Sequence, residues 1–324
     1  MKFTKKLFAT LLAGTMAVSM TACSNANGSS ADDVYNIGIC QLTQHEALDA
    51  ATEGFQDYLI EKLGEDKVKF DYQNASGDSP TCSTIINSFV SNGVDLIMAN
   101  ATASVQAAQA GTSDIPILGT SITDYATALS IDDWTGVTGS NISGTTDLAP
   151  LDGQAEMLNE LFPDAKKVGL VYCSAEPNSS YQISVIKPLL EKMGYECTEF
   201  SFTDTNDVSA VVTSAVAASD VLYTPTDNVA ASCAETIGNI VVPAKMPVIA
   251  GEENSCKGYG VATLSVDYYE LGQITGEMAY DVLVNGEDIS KMEVQSAPSF
   301  TKKYNADICE QLGITVPDDY EAIE

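Results

Sequence analysis

The chain repeats itself once, and this repeat constrains its fold more than any other feature of the sequence. The segment that starts at Asn36, NIGICQLTQHEALDAATEGFQDYLIEKLG, matches the segment that starts at Lys167, KVGLVYCSAEPNSSYQISVIKPLLEKMG. Further along, VDLIMANATAS parallels SDVLYTPTDN, and DIPILGTSITD parallels KMPVIAGEEN. Matches that recur in the same order at nearly the same spacing predict two similar lobes built from one structural unit.

Each copy of the repeat alternates short apolar runs with longer segments of helical pattern. Nearly unbroken apolar strands between helices are typical of parallel sheets covered by helices on both faces. The predicted fold class is therefore α/β, with two similar doubly wound parallel-sheet lobes joined by a three-segment hinge. We predict an N-terminal lobe from residues 34–146 and 267–294 and a C-terminal lobe from residues 147–266 and 295–324. The chain would then cross between the lobes near residues 143–151, 264–267 and 294–299.

The first residues have the pattern of an export signal. Lys2, Lys5 and Lys6 precede an apolar run over residues 7–22, which is short for a membrane span, and small residues come just before Cys23. This ending resembles a bacterial lipobox, which predicts a lipoprotein signal peptide over residues 1–22, lipidation of Cys23 and a polar tether over residues 23–33. An ordinary signal peptide with a coincidental cysteine is the alternative. We expect the mature protein outside the cytoplasmic membrane, anchored by lipid.

The charge balance excludes several classes of partner. The chain has 15 basic residues, all of them lysine, against 45 acidic residues, for a net charge of −30. Such a chain lacks the clustered Lys and Arg needed to bind nucleic acid or an anionic lipid surface. Without arginine, an anionic group of a ligand must be held by lysine, hydroxyl groups or backbone N–H groups. Seven cysteines follow Cys23 with no CxxC pair, so the sequence leaves their disulfide state open.

The repeat also predicts where a ligand binds. In an open parallel sheet, ligand-binding groups gather beyond the carboxyl ends of the strands, where helix N-termini present N–H groups. Six polar loops follow predicted strands, at residues 41–46, 100–104, 120–124, 174–179, 225–228 and 251–255. The candidate ligand-binding residues in them are Thr43, Gln44, His45, Ala101, Thr102, Thr120, Ser121, Asp124, Glu176, Asn178, Ser179, Thr226, Asp227, Asn228, Glu253 and Asn254.

Lipobox, acidic mature chain, duplicated lobes and polar loops together resemble a solute-binding protein of an ABC importer with the periplasmic-binding-protein type I fold. The resemblance covers residues 34–324. Five segments are similar to the branch associated with tryptophan, tyrosine or phenylalanine uptake: FDYQNASGD, VDLIMANATASVQAA, ITD, YTPTDN and VDYYELGQITGEMA. The family implies closure of the two lobes on one small ligand, which is then passed to a membrane permease.

An amino acid ligand would need two kinds of partner. We expect its carboxylate to be held by N–H and hydroxyl groups near Thr102 and Ser121, and its ammonium group by Asp227, with Glu253 and Asp124 as alternatives. Thr102, Ser121 and Asp227 are also suited to capping the helices that follow them. His45 is the only histidine, and a surface or capping role competes with ligand contact.

Enzymatic function finds little support in the sequence. The sequence has a single histidine and lacks GxSxG, GxxxxGK[ST] and HExxH motifs. It therefore lacks the groups that acyl transfer, nucleotide hydrolysis and metalloprotease chemistry require. We predict no catalytic residues, no cofactor and no metal. The predicted function is amino acid binding, of Trp, Tyr or Phe, for an ABC importer. The alternatives are a sensing subunit for a membrane signalling protein, a binder of a sugar or nucleoside, and an enzyme on the same fold.

Overall fold

A computed structural model of the chain describes residues 34–323. The predicted signal peptide, the tether and Cys23 lie outside the described residues. Within the described part the strands are β1 (Tyr35–Gln41), β2 (Val68–Asn74), β3 (Leu96–Asn100), β4 (Ile117–Ile122), β5 (Ile142–Thr146), β6 (Lys167–Cys173), β7 (Glu196–Phe202), β8 (Val221–Thr224), β9 (Val248–Ala250), β10 (Ala262–Ser265), β11 (Gln295–Ser296), β12 (Thr301–Tyr304) and β13 (Glu321–Ala322).

Helices follow most of these strands. The α-helices are α1 (Glu46–Leu63), α2 (Ser79–Asn92), α3 (Thr102–Gly111), α4 (Tyr125–Leu129), α5 (Leu151–Leu161), α6 (Pro177–Met193), α7 (Val208–Ala218), α8 (Asn228–Ser232), α9 (Ala234–Val241), α10 (Glu253–Tyr259), α11 (Tyr268–Tyr280) and α12 (Ala306–Leu312). Short 3-10 turns cover Glu65–Lys67 and Ile289–Lys291, and a π-helical turn extends α11 over Asp281–Asn285.

The strands form two sheets, which confirms the predicted α/β class with two parallel-sheet lobes. The first sheet has the order β11-β5-β4-β3-β1-β2, and all of its pairs are parallel. The second has the order β13-β12-β10-β9-β8-β6-β7, in which only the β10–β12 pair is antiparallel. The central strands β1, β3 and β4 of the first sheet and β6, β8 and β9 of the second are almost entirely buried, as their apolar sequences predict.

The first sheet includes two residues beyond the predicted segment 267–294 of the N-terminal lobe. Gln295 and Ser296 pair with Thr145 and Thr146 at the edge of the first sheet. The chain therefore leaves the first sheet two residues later than the predicted boundary at residue 294, because a short parallel strand forms before the crossing to the second lobe. The remaining lobe boundaries stay a prediction.

Helix α11 returns to the first lobe, where it packs along α1 and beside β4 and β5. Two glycines allow the close approach of α1 and α11. A Cβ atom at Gly54 would lie 2.1 Å from the carbonyl oxygen of Tyr269, and a Cβ atom at Gly272 would lie 2.1 Å from the carbonyl oxygen of Ala51. Larger side chains at these positions would push the helices apart.

One predicted helix is broken in the structure. The sequence predicts a single helix over residues 228–241, whereas α8 ends at Ser232 and α9 begins at Ala234. The N–H group of Cys233 bonds to the carbonyl groups of both Val229 and Ala230, which tightens the last turn of α8. The break shortens the helix that starts at the candidate residue Asn228.

Candidate ligand-binding site

A narrow cavity lies where the carboxyl ends of the two sheets meet. We call it the central cavity. Its walls come from the end of β4, the residues after β1 and β5 and the start of α11 in the first lobe, and from residues after β6, β8 and β9 in the second. The lining residues are His45, Leu48, Ser121, Thr123, Asp147, Asn178, Thr226, Asp227, Asn228, Ala231, Glu252 and Tyr268.

Three carboxyl groups dominate the chemistry of the central cavity. Asp147, Asp227 and Glu252 are exposed by only 3%, 1% and 2% respectively. No lysine is among the described residues that line the cavity. Burying an ionised carboxyl group is costly unless a positive charge or several hydrogen bonds compensate for the lost water. The cavity is thus prepared for a ligand that brings a positive charge.

Asp227 caps α8 and also ties it to the sheet. Its Oδ1 atom accepts the N–H of Ala230 at 2.8 Å, and its Oδ2 atom accepts the N–H of Cys173 at 2.6 Å. Burial and the neighbouring carboxylate of Glu176 raise the pKa of Asp227 above its ordinary value. Each carboxylate oxygen has a second acceptor site, so capping leaves Asp227 able to accept a hydrogen bond from a ligand.

Glu252 plays the same capping part for α10. Its two oxygens accept the N–H groups of Ser255 at 2.6 Å and Asn254 at 2.7 Å. Burial raises the pKa of Glu252 from its ordinary value near 4.5 to about 7. The carboxylate is therefore only partly ionised near neutral pH while no cation lies beside it.

Asp147, directly after β5, is held by two hydroxyl groups of the first lobe. The hydroxyl of Tyr268 donates to its Oδ2 atom at 2.8 Å, and the hydroxyl of Thr123 donates to its Oδ1 atom at 3.3 Å. Burial raises the pKa of Asp147. Because Tyr268 begins α11 immediately after the crossing from β10, this bond links two of the crossing segments at the wall of the cavity.

A chain of hydrogen bonds crosses the cleft at His45. The amide nitrogen of Asn228 donates to the carboxylate of Glu176 at 2.8 Å, so its Oδ1 atom faces the Nε2 atom of His45, 3.3 Å away, and must accept. His45 therefore carries its proton on Nε2, and burial lowers the pKa of the ring, which favours the neutral form. The Nδ1 atom is left as a buried acceptor with no partner within the described residues.

Ser121 supplies a second unsatisfied group. Its Oγ atom is buried and has no hydrogen-bond partner within the described residues. The residue also has a left-handed backbone, with φ of 56°, and Ala101 on the neighbouring strand end has φ of 84°. Non-glycine residues in this conformation cost energy and concentrate at functional sites. Ser121 and His45 are thus two wall residues whose polar atoms need a partner.

The structure brings six of the sixteen sequence-predicted residues to the central cavity: His45, Ser121, Asn178, Thr226, Asp227 and Asn228. Thr43 and Glu176 line an adjoining space between the lobes, which we call the outer cavity and which also borders Asn178 and Asn228. Glu253 and Asn254 line a groove on another side, where Glu253 pairs with Lys303 at 2.6 Å.

The other six predicted residues lie away from all three spaces. Ala101, Thr102, Thr120 and Ser179 are buried, and the hydroxyl of Thr120 bonds to that of Thr145 at 3.1 Å. Gln44 is exposed. Asp124 caps α4 by accepting the N–H of Thr127 at 2.7 Å. Their part in ligand binding stays a prediction.

Sequence reasoning missed three polar wall residues with strong chemistry. Glu252 lies inside a predicted loop, but the adjacent Glu253 was preferred. Asp147 follows β5, which the repeat did not reveal, and Tyr268 begins α11 directly after the predicted crossing at residues 264–267. The mirrored position of Asp227 and Glu252, each an acid at the start of a helix after a strand of the second sheet, is the signal that could have found Glu252.

Three comparisons place the chain among known proteins. Residues 36–322 match the family model described as ABC transporter substrate binding protein. The tyrosine-binding protein of Clostridioides difficile (strain R20291) is 37% identical over 302 residues, which cover 90% of this chain and 87% of the relative. The structure of an ABC domain in complex with L-Trp from Streptococcus pneumonia is 30% identical, with a TM-score of 0.85 and coverage of 90% of this chain and 100% of that chain.

A third structure is more similar to this chain in sequence than the L-Trp complex is, but less similar in its coordinates. The ligand-free, open structure of a substrate-binding protein with adhesive properties from Clostridium difficile is 37% identical, covering 90% of this chain and 99% of that chain, yet its TM-score is 0.69. This chain as a whole thus superposes better on the L-Trp complex than on that open structure. With the periplasmic-binding-protein type I fold, the polar cavity between the lobes and a match along nearly all of its described length, the chain belongs to the family of ABC transporter substrate-binding proteins.

Proposed function

We propose that this chain captures one free amino acid with an aromatic side chain (tryptophan, tyrosine or phenylalanine) in the central cavity, and passes it to the permease of an ABC importer. The observation that carries the proposal is the set of three buried carboxyl groups in a cavity with no lysine among its described lining residues. The relatives named for tyrosine and solved with L-Trp support an aromatic amino acid. The proposal assigns no covalent step to the chain.

The ammonium group of the ligand would compensate the buried carboxylates. Asp227 and Glu252 each keep acceptor sites beyond their capping bonds, and the Nδ1 atom of His45 needs a donor. A charge-assisted hydrogen bond is roughly twice as strong as a neutral one. The ligand ammonium would therefore satisfy the most costly groups in the closed cleft.

The carboxylate of the ligand would need donors from neutral groups, because the chain has no arginine. The free hydroxyl of Ser121 is the donor that lines the central cavity without a partner of its own. Asn178 also lines the cavity, with an amide that donates to Glu176 at 3.0 Å. These groups make the Ser121 side of the cavity the expected place for the carboxylate.

Lobe closure would be the functional event. His45 in the first lobe and Asn228 in the second meet only when the cleft is closed, and so do Glu46 and Lys257, which pair at 3.4 Å. A ligand that contacts both lobes binds the closed form more tightly and shifts the population toward it. A permease can then distinguish loaded from unloaded protein by the relative position of the lobes.

The ligand class can be tested by titration calorimetry and thermal shift. L-Trp, L-Tyr and L-Phe should stabilise the purified protein, by about 2.7 kcal/mol when the ligand is at 100 times its dissociation constant. N-acetyl-tyrosine, which lacks the ammonium group, is the matched control and should bind at least tenfold more weakly. Stabilisation by a sugar or a nucleoside but by none of the three amino acids would contradict the proposal.

The place of the protein is a separate part of the proposal. We propose that Cys23 is acylated and that the mature protein is held by lipid on the outer side of the cytoplasmic membrane, since the residues before Cys23 resemble a lipobox. Among the described residues no helix has the length and apolar character to cross a bilayer. Cys23→Ala should release the protein or block its processing, and unchanged membrane retention of this variant would refute the anchor.

A further inference from the structure

Two buried cysteines of the first lobe share one hydroxyl group. Cys40, near the end of β1, and Cys82, in the first turn of α2, are both fully buried. The thiol of Cys40 donates to the Oγ atom of Ser104 at 3.6 Å, and the Sγ atom of Cys82 lies 3.7 Å from the same oxygen. The two sulfur atoms thus lie on either side of one oxygen, and the proximity of the two thiols raises the pKa of Cys40 and lowers that of Cys82 to about 7.

The packing of α2 on the sheet explains why these two side chains meet. A Cβ atom at Gly38 would lie 2.5 Å from the ring of Phe89, so α2 rests directly on β1. Gly38 and Cys40 are two residues apart on a strand and point to the same face. Cys82 and Phe89 are seven residues apart on a helix and also share a face. The strand end that carries Cys40 therefore lies under the helix turn that carries Cys82.

We propose that Cys40 and Cys82 form an intramolecular disulfide when the exported chain folds in the presence of a small-molecule disulfide. The seven cysteines of residues 34–323 are all free in the structure. The cysteines at 173, 197, 233, 256 and 309 belong to the second lobe or its core. Within the described part, Cys40 and Cys82 are thus the two cysteines of the first lobe.

The chemistry balances as a thiol–disulfide exchange. The Cys82 thiolate attacks one sulfur of a disulfide such as oxidised glutathione, and the first glutathione thiolate leaves with the electron pair of the broken bond. The Cys40 thiolate then attacks the Cys82 sulfur of the mixed disulfide and expels the second glutathione thiolate. The two cysteines are oxidised, the glutathione disulfide is reduced, and the two thiol protons pass to the departing thiolates.

Such a bond would brace the rim of the cleft. The residues that follow Cys40 and those that precede Cys82 line the outer cavity. They are Leu42, Thr43, Ser76, Gly77 and Ser79. A disulfide between the two ends of this segment restricts the unfolded chain more than the folded one, because it closes a long loop. For a chain of this size we expect the melting temperature to rise by about 5 °C.

The test is refolding of the denatured, reduced protein in mixtures of oxidised and reduced glutathione. Free thiols are then alkylated under denaturing conditions, and peptides are mapped by mass spectrometry. We expect Cys40 and Cys82 to be protected together and to appear as one linked peptide pair, while the five other cysteines of the described part are alkylated. Cys40→Ser and Cys82→Ser should each leave the partner alkylated and abolish the rise in melting temperature.

The control and the opposing outcomes are equally specific. Cys197→Ser, which removes a half-buried cysteine of the second lobe, should keep both the linked peptide and the rise in melting temperature. Alkylation of both Cys40 and Cys82 in the wild-type protein at every glutathione ratio would overturn the proposal. So would a different pairing, for example between Cys256 and Cys309. Because the readout needs no ligand, failure here is distinguishable from failure of the proposed amino acid binding.

Discussion

The substitution Glu252→Gln tests whether the buried negative charge of Glu252 destabilises the ligand-free protein. Glu252 is almost fully buried, caps α10 with both oxygens and lines the cavity. Glutamine has nearly the same shape but no charge, and its NH2 group cannot accept one of the two backbone N–H groups that Glu252 now accepts. The lost cap bond lowers stability by the same amount at every pH, so the pH dependence of the difference in unfolding free energy between the two proteins measures the cost of ionising Glu252.

The magnitude follows from the pKa. Burial raises the pKa of Glu252 from an ordinary value near 4.5 to about 7. Below pH 4.5 the group is protonated whether the chain is folded or unfolded, and it costs nothing. Between pH 4.5 and 7 the unfolded chain ionises first, so stability is lost as the pH rises. The total loss is about 3 kcal/mol, because each tenfold change in proton affinity is worth about 1.4 kcal/mol.

Urea denaturation of the ligand-free protein between pH 5 and 8 is the assay, since solubility falls close to the isoelectric point of 4.1. Relative to wild type, the stability of the Glu252→Gln variant should rise by about 2 kcal/mol between pH 5 and pH 8, on top of a constant loss of about 1 kcal/mol for the lost cap bond. Asp147 and Asp227 also titrate, but they do so in both proteins and cancel in the difference.

Glu253→Gln is the matched control for this experiment. It removes the neighbouring carboxylate, which is half-buried and pairs with Lys303 rather than lining the central cavity. This variant should gain no stability at pH 8. A Glu252→Gln difference that stays constant from pH 5 to 8, or a variant less stable than wild type at pH 8, would refute the reasoning. The same Glu252 variant should bind an amino acid at least tenfold more weakly, because it no longer attracts the ammonium group.

Three further substitutions test other parts of the site and the fold. His45→Ala should weaken amino acid binding by about tenfold or more in calorimetry, because one hydrogen bond to a charged ligand group is lost. Asp227→Ala should lower the unfolding free energy by about 2 kcal/mol or more in urea, because the N–H groups of Cys173 and Ala230 lose their acceptor, whereas Asp227→Asn should cost less. Gly272→Ala should lower the unfolding free energy by about 1–3 kcal/mol, because the new methyl group meets the backbone of α1, and Gln273→Ala is the control.

The internal repeat made the fold predictable from the sequence. Two copies of one βα unit imply two sheets, and short apolar runs imply parallel strands buried on both sides, as β3 and β8 are. The edges were harder to predict, because edge strands are short and only partly buried. Strand β11 consists of Gln295 and Ser296 alone, and no periodic pattern identifies two residues as a strand.

The position of the site was predictable for the same reason, but its exact walls were not. Loops after the strands were identified, and Asp227 lies in the central cavity as well as at the start of α8. Glu252 and Glu253 are adjacent at the start of α10, and only one of them faces the cavity. The sequence alone does not show which, because a shift of the helix start by one residue would exchange their positions. Asp147 follows a strand, ISGTT, whose small polar residues are buried by packing against α11 rather than by their own hydrophobicity.

The cost of burying the carboxyl groups of the cavity would couple ligand binding to closure of the lobes. Asp147, Asp227 and Glu252 come from loops of both lobes and line one cavity, where all three carboxyl groups are almost fully buried. Without a cation this costs several kcal/mol, because the carboxyl groups must either stay charged in a poorly solvated space or take up protons. A ligand ammonium group removes that cost only in the closed form. Under the proposed function, differential affinity of this kind would make closure depend on the ligand, and the residues that destabilise the empty closed cleft would give the protein its response.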